Sequence, residues 1–244
     1  MIKKNNFRSL YALVLLFFSM AMVSQEKPDT QLRFNPSVSY DFTKKWGATF
    51  DYRLGYKENI SQFQSSIFQI SSDYELTKKI KVEAGYRYST SYTKDYHRLF
   101  ASVQYKYKWD RISLENTLKY QFQTGSFDSE YMQFFDTPTH TVREKVTMEY
   151  NVPKSKTTLF FAPEIFLRVD QYEVKFNRMR YTVGGTYQLK YGNTLGLSVF
   201  YDDYVKLSKT DRMVVVAKYN LSINDLLKKI KKVKKKKATK EPLK

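Results

Sequence analysis

Apolar and polar residues alternate along most of the chain. In TTLFFAPEIFLRVD, residues 157–170, Leu159, Phe161, Pro163, Ile165, Leu167 and Val169 hold one parity, while Glu164, Arg168 and Asp170 hold the other. A period of two is the mark of a β-strand with one apolar and one polar face. Strands of soluble domains usually run about 5–6 residues, and this row is far longer. The pattern recurs. WGATFDYRLGY sets Trp46, Ala48, Phe50, Tyr52, Leu54 and Tyr56 against Asp51 and Arg53, and RMVVVAKYNLSI sets Met213, Val215, Ala217, Tyr219 and Leu221 against Arg212, Lys218 and Asn220. Eleven rows are predicted, near residues 32–43, 46–57, 62–76, 79–92, 96–109, 111–124, 140–152, 156–170, 174–190, 193–206 and 209–223.

Short turns such as FTKKW, LTKKI, KWDR, VPKSK and KYGN alternate with looser polar connections, the longest being GSFDSEYMQFFDTPTH. Outer-membrane barrels have this habit, with short periplasmic turns and longer external loops. Trp46, Tyr56, Tyr88, Tyr92, Trp109 and Tyr150 lie toward the row ends, as the aromatic girdles of membrane interfaces do. A soluble β-sandwich also alternates, but long rows in a plain meander fit it poorly. The fold class read from these rows is all-β, an up-and-down antiparallel transmembrane β-barrel of about 10–12 strands. Its apolar face meets lipid, its charged face meets a lumen, and closure leaves no unpaired edge in hydrocarbon.

Three features sit awkwardly in that reading. Asn116 lies in a lipid-facing row between Leu114 and Leu118. Pro163, in mid-strand, deletes a ladder donor and suggests a bulge. Eleven is also odd, whereas two periplasmic termini require an even count. Either a strand is missed, merged or split, or the N-terminal segment departs from the pattern.

Charge refines the organisation. Lys3, Lys4 and Arg8 precede the apolar LYALVLLFF and a small-residue exit, the layout of a secretory signal peptide over residues 1–24. Cleavage fits after Ala21 or after Ser24. The barrel then spans 25–225, and residues 226–244 form a basic tail. The formal net charge is +18, but the tail alone contributes ten Lys against one Glu. The barrel body is therefore only mildly basic, and an exported chain has little occasion to meet nucleic acid. With no cysteine, a lipoprotein anchor and disulfides are excluded.

LTKKIKVEAGYRY (76–88), YHRLFASVQYKYKW (96–109), APEIFLRVD (162–170), FNRMRYTVGGTYQL (176–189) and LGLSVFYDDY (195–204), in that order, resemble the bacterial outer-membrane barrel family grouped as domain of unknown function 2490. The resemblance covers most of residues 30–223. It implies a barrel fold, an outer-membrane location, and the lipid, lipopolysaccharide and barrel-assembly machinery met there. It implies no activity. Members of that family tend to stop at the last strand, and this chain departs by continuing into the tail.

The candidate site is the inward row, whose cations outnumber its anions. Glu164, Arg168, Arg178, Arg180, Asp202 and Arg212 occupy inward positions on the last four rows. Cross-strand pairing among Glu164, Arg178, Arg180 and Asp202 is expected, because a buried charge left unpaired is costly. The preferred reading is a structural or binding barrel with a narrow, charge-filled polar lumen. The alternative is a small-solute channel with weak anion preference, since rings of Arg and Lys favour anions. An outer-membrane enzyme is the third reading. His97 and His140, with Asp202 and Asp203, lie toward the loop rim, but nothing in the sequence unites them. Metal-ligand spacing and phosphate loops are absent from the sequence, so the chain reads as a non-enzyme without cofactors. In the tail, Leu226, Leu227, Ile230 and Val233 share one helical face among lysines. That pattern suits a solvated tail first, and contact with an anionic surface or an acidic periplasmic partner second.

Overall fold

A computed structural model describes residues 29–92, 94–128, 133–134, 138–169, 173–205, 211–224 and 226–227. The signal segment expected over residues 1–24 and the tail beyond Leu227 lie outside these described residues. Eleven long strands follow one another: β1 (Asp29–Asp41), β2 (Trp46–Lys57), β3 (Gln62–Glu75), β4 (Ile80–Thr90), β5 (Asp95–Trp109), β6 (Ile112–Gly125), β7 (Thr139–Asn151), β8 (Thr157–Val169), β9 (Val174–Gln188), β10 (Thr194–Tyr204) and β11 (Arg212–Ser222). A pair of two-residue strands, Phe127–Asp128 and Gln133–Phe134, sits in the loop between β6 and β7.

Each long strand pairs antiparallel with the next, and β1 closes the ring against β11. That seam is parallel, in register from Asp29↔Arg212 to Ser39↔Ser222. The odd count explains it. A meander reverses at every hairpin, so its first and eleventh strands run the same way and meet only in parallel. The even count expected from two periplasmic termini is thereby corrected. Among the described residues the eleven long strands correspond to the eleven predicted rows, and the two ends of the wall leave from opposite rims. Asparagines tie the seam at its turn-side end. Asn224 Nδ2 donates to the Asp41 carbonyl at 2.8 Å and Asn224 Oδ1 accepts from the Asp41 N–H at 2.6 Å. Asn220 bridges to Ser37 and Ser39.

Parity sorts the residues into two environments. The buried residues, among them Gln69, Ser102, Thr117, Phe166, Ser198, Asp202 and Val214, lie on the inward parity. The exposed large apolar residues on the strands, such as Phe50, Ile70, Leu99, Val103, Leu118, Val183 and Leu197, lie on the outward parity. This polarity is reversed relative to a water-soluble protein, and it is the one a bilayer selects. Outward aromatics gather at the turn-side rim, where Phe42 packs on Trp46 at 4.7 Å between ring centroids and Trp109 is exposed.

Two inward glycines allow the lumen to fill. A Cβ at Gly85 would lie 2.5 Å from the Phe100 ring, and one at Gly184 would lie 2.5 Å from Ser198 Cβ and 2.6 Å from the Leu197 carbonyl. Pro163 acts differently from expectation. It pairs normally with Tyr181 on β9, while the ladder to β7 passes from Phe161↔Met148 directly to Glu164↔Lys145. The register shift falls later, between Phe166 and Leu167.

Candidate functional site

The inward cations are segregated along the barrel axis. Arg33, Arg53, Arg87 and Arg98 each lie in the half of their strand nearest the long loops, and Arg143, Arg178, Arg180 and Arg212 do the same. The inward lysines, including Lys81, Lys106, Lys145 and Lys218, sit at mid-strand or toward the tight turns. There they meet carboxylates: Lys106 reaches Glu149 at 2.7 Å, Lys81 reaches Asp73 at 2.9 Å, and Lys119 reaches Glu83 at 3.1 Å. The turn-side half of the lumen is thus largely self-neutralising.

The loop-side half is not. Its central anion is Asp202, fully buried on β10. Arg180, from β9, clamps it with Nε at 2.6 Å and Nη2 at 2.9 Å, and Arg212, from β11, adds Nε at 2.8 Å. Arg178 Nε stands 3.8 Å away. A bidentate guanidinium grip fixes geometry as well as charge. Three cations around one carboxylate leave this cluster positive.

Rings carry what carboxylates do not. Phe166 projects inward from β8, with Arg178 at 3.9 Å and Arg143 at 4.5 Å from its centroid. Phe200 does the same from β10, with Arg180 at 3.9 Å and Arg33 at 5.3 Å. Guanidinium–ring contacts stabilise most when desolvated, so these phenylalanines hold arginines in a cluster that Coulomb repulsion alone would scatter. On the opposite wall the arginines end on amides. Arg87 Nε donates to Gln69 Oε1 at 2.9 Å, Arg53 approaches the same oxygen at 3.5 Å, and Arg98 Nε donates to Gln123 Oε1 at 2.9 Å. Arg53 Nε and Arg178 Nε are buried without a hydrogen-bond partner.

The residues proposed from sequence distribute unevenly in this geometry. Arg178, Arg180, Asp202 and Arg212 converge as one cluster. Glu164 faces Arg180 in register, yet it is Arg143 of β7 that bonds it, at 2.6 Å from Nη2 and 2.9 Å from Nε. Of the four residues expected to pair across strands, Arg180 and Arg178 gather on Asp202, while Glu164 takes its partner from outside the set. Arg168 lies exposed near the loop end of β8 and joins none of these contacts. Arg143 and Arg33 were read as inward cations but left out of the candidate set, and sequence reasoning missed the rings of Phe166 and Phe200. The rings were visible as apolar residues on the polar parity, at IFLR and VFYD.

The rim residues do not assemble. His97 and His140 take outward positions, and their Nδ1 atoms lie 2.5 Å and 2.6 Å from the hydroxyls of Tyr86 and Tyr120. Asp202 points inward, whereas its neighbour Asp203 is exposed on the outer face. Among the described residues no group of three His, Cys, Asp or Glu side chains is placed to hold a metal.

Residues 30–214 match the model of a family described as protein of unknown function (DUF2490). The chain belongs to that family. No curated protein matches it. Among solved structures it is similar to the NanC porin, at 11% identity and a TM-score of 0.47, over 77% of this chain and 94% of that one. This family member is a bacterial outer-membrane β-barrel, closed upon itself with an apolar outer wall.

Proposed function

We propose that the protein is a binding barrel whose loop-side lumen takes small multivalent anions, of the carboxylate or phosphate class, from outside the cell. The observation that carries this reading is the unequal neutralisation of the two halves. Arginines dominate the loop side, where glutamine amides and phenylalanine rings hold several of them in place of carboxylates. Arginine's planar fork matches carboxylate and phosphate oxygens bidentately, and a wall of partly unsatisfied donors is prepared for such a guest.

Binding is favoured over conduction by the filling of the lumen. Inward residues on β3, β5, β6, β8 and β10, among them Gln69, Phe100, Thr117, Phe166 and Phe200, are buried inside the barrel. Barrels of about eight strands are filled by side chains or hold one small ligand, and an aqueous channel belongs to those of about 16–18. Eleven strands lie nearer the first group. The test is calorimetric titration of the refolded barrel with citrate and with inorganic phosphate. Saturable binding is expected, at least tenfold weaker in an Arg87→Gln/Arg98→Gln variant and unchanged in Lys81→Gln. Absence of binding to a folded barrel, or equal loss in Lys81→Gln, overturns the reading.

A further inference from the structure

The outer wall carries one charge where a bilayer tolerates none easily. Glu144 lies near the middle of β7, opposite Leu118 on β6 and Ile165 on β8, both outward residues. Its own side chain is exposed on that face. Val142 and Val146 flank it on β7, and Leu114 and Leu118 extend the apolar surround on β6. Among the described residues it is the single charge on the outward parity away from the rims; Asp95 and Asp203 stand at loop ends. The Asn116 amide, noted in the sequence as misplaced, donates to Glu144 Oε1 at 2.9 Å. The two awkward residues therefore form one polar pair in the lipid-facing belt. Intramembrane ionisable groups are costly, and where they persist they are usually engaged by a partner.

We infer that this pair is the centre of a self-association surface, by which the β6–β7–β8 wall meets the same wall of a second copy of this chain. The chemistry of the pair selects that partner. It offers one amide donor already bonded, a second amide hydrogen on the same nitrogen, and a carboxylate oxygen for which the described residues supply no donor. A two-fold axis along the membrane normal lets each Asn116 donate to the Glu144 of the other copy, so the patch complements itself as an isologous interface requires. Lipid headgroups are excluded as the complement by depth, because the pair lies between the girdles. Apolar neighbours on both copies then exclude lipid from around the hydrogen bonds. This surface lies outside the lumen and is independent of what the lumen binds.

The chain has no cysteine, which makes the test clean. Leu118→Cys places a thiol beside the pair, and Val38→Cys places one on outward β1, across the barrel. Oxidative or bis-maleimide cross-linking in native membranes is expected to give a dimer from Leu118→Cys and little from Val38→Cys. Adding Glu144→Leu to Leu118→Cys is expected to reduce that dimer at least fivefold. The unheated barrel band on gels verifies that each variant folds. A folded Leu118→Cys barrel that gives no dimer overturns the proposal. So does equal cross-linking from Val38→Cys, persistence of the dimer in the Glu144→Leu background, or capture of a different protein instead of a second copy.

Discussion

At the scale of single residues, Asp202 is the point on which the loop-side lumen depends. Arg180 and Arg212 bond it directly and Arg178 stands near it, all inside the wall. Removing one partner of a buried ion pair costs roughly 3–5 kcal/mol, because the other charge stays behind uncompensated. Asp202→Asn therefore should destabilise the barrel by about 3 kcal/mol or more in urea unfolding from detergent micelles. Glu164→Gln strands a single arginine, Arg143, which keeps its contact with Phe166, and should cost less than Asp202→Asn in the same assay. Gly184 makes a steric prediction. A methyl group there meets backbone atoms of β10, and overpacking of this kind costs about 1–3 kcal/mol. Gly184→Ala should lower the unfolding midpoint, whereas Gly196→Ala, whose nearest neighbour is a lysine side chain at 3.4 Å, should change it little.

At the scale of elements, period-two alternation was enough to find all eleven strands, with boundaries within a few residues of those observed. Alternation is legible because lipid and lumen impose opposite demands on successive side chains, and every strand feels both. Closure was not legible in the same way, since no local pattern states that β1 meets β11 in parallel. Nor was the choice of partner within the lumen. Glu164 has Arg180 on one neighbouring strand and Lys145 on the other, yet Arg143, offset along β7, bonds it. Such diagonal reach depends on side-chain length and on the ring of Phe166, not on spacing. The seam yields its own prediction. Asp29 begins β1 at the loop-side rim, and Ser222 ends β11 at the turn-side rim. An epitope inserted before Asp29 should be labelled on intact cells, and one following residue 224 only after the outer membrane is permeabilised. Labelling of both from the same side would contradict parallel closure.

At the scale of the whole molecule, the barrel has three surfaces with distinct tasks. The outer wall between the rims is mostly apolar and carries the Asn116–Glu144 pair, the turn-side lumen is neutralised by lysines and carboxylates, and the loop-side lumen is an arginine cluster short of anions. The sign of this asymmetry bears on the proposed function, because guests approaching from the loops meet positive charge first. The central claim is that this lumen binds and does not conduct. Planar-bilayer recording of the protein refolded without residues 1–24 tests it most directly, at both polarities and with its folded state verified on the same sample. A silent membrane is the predicted result. Discrete, anion-biased conductance steps would contradict the claim and turn Arg178, Arg180 and Arg212 from a binding cluster into a selectivity filter.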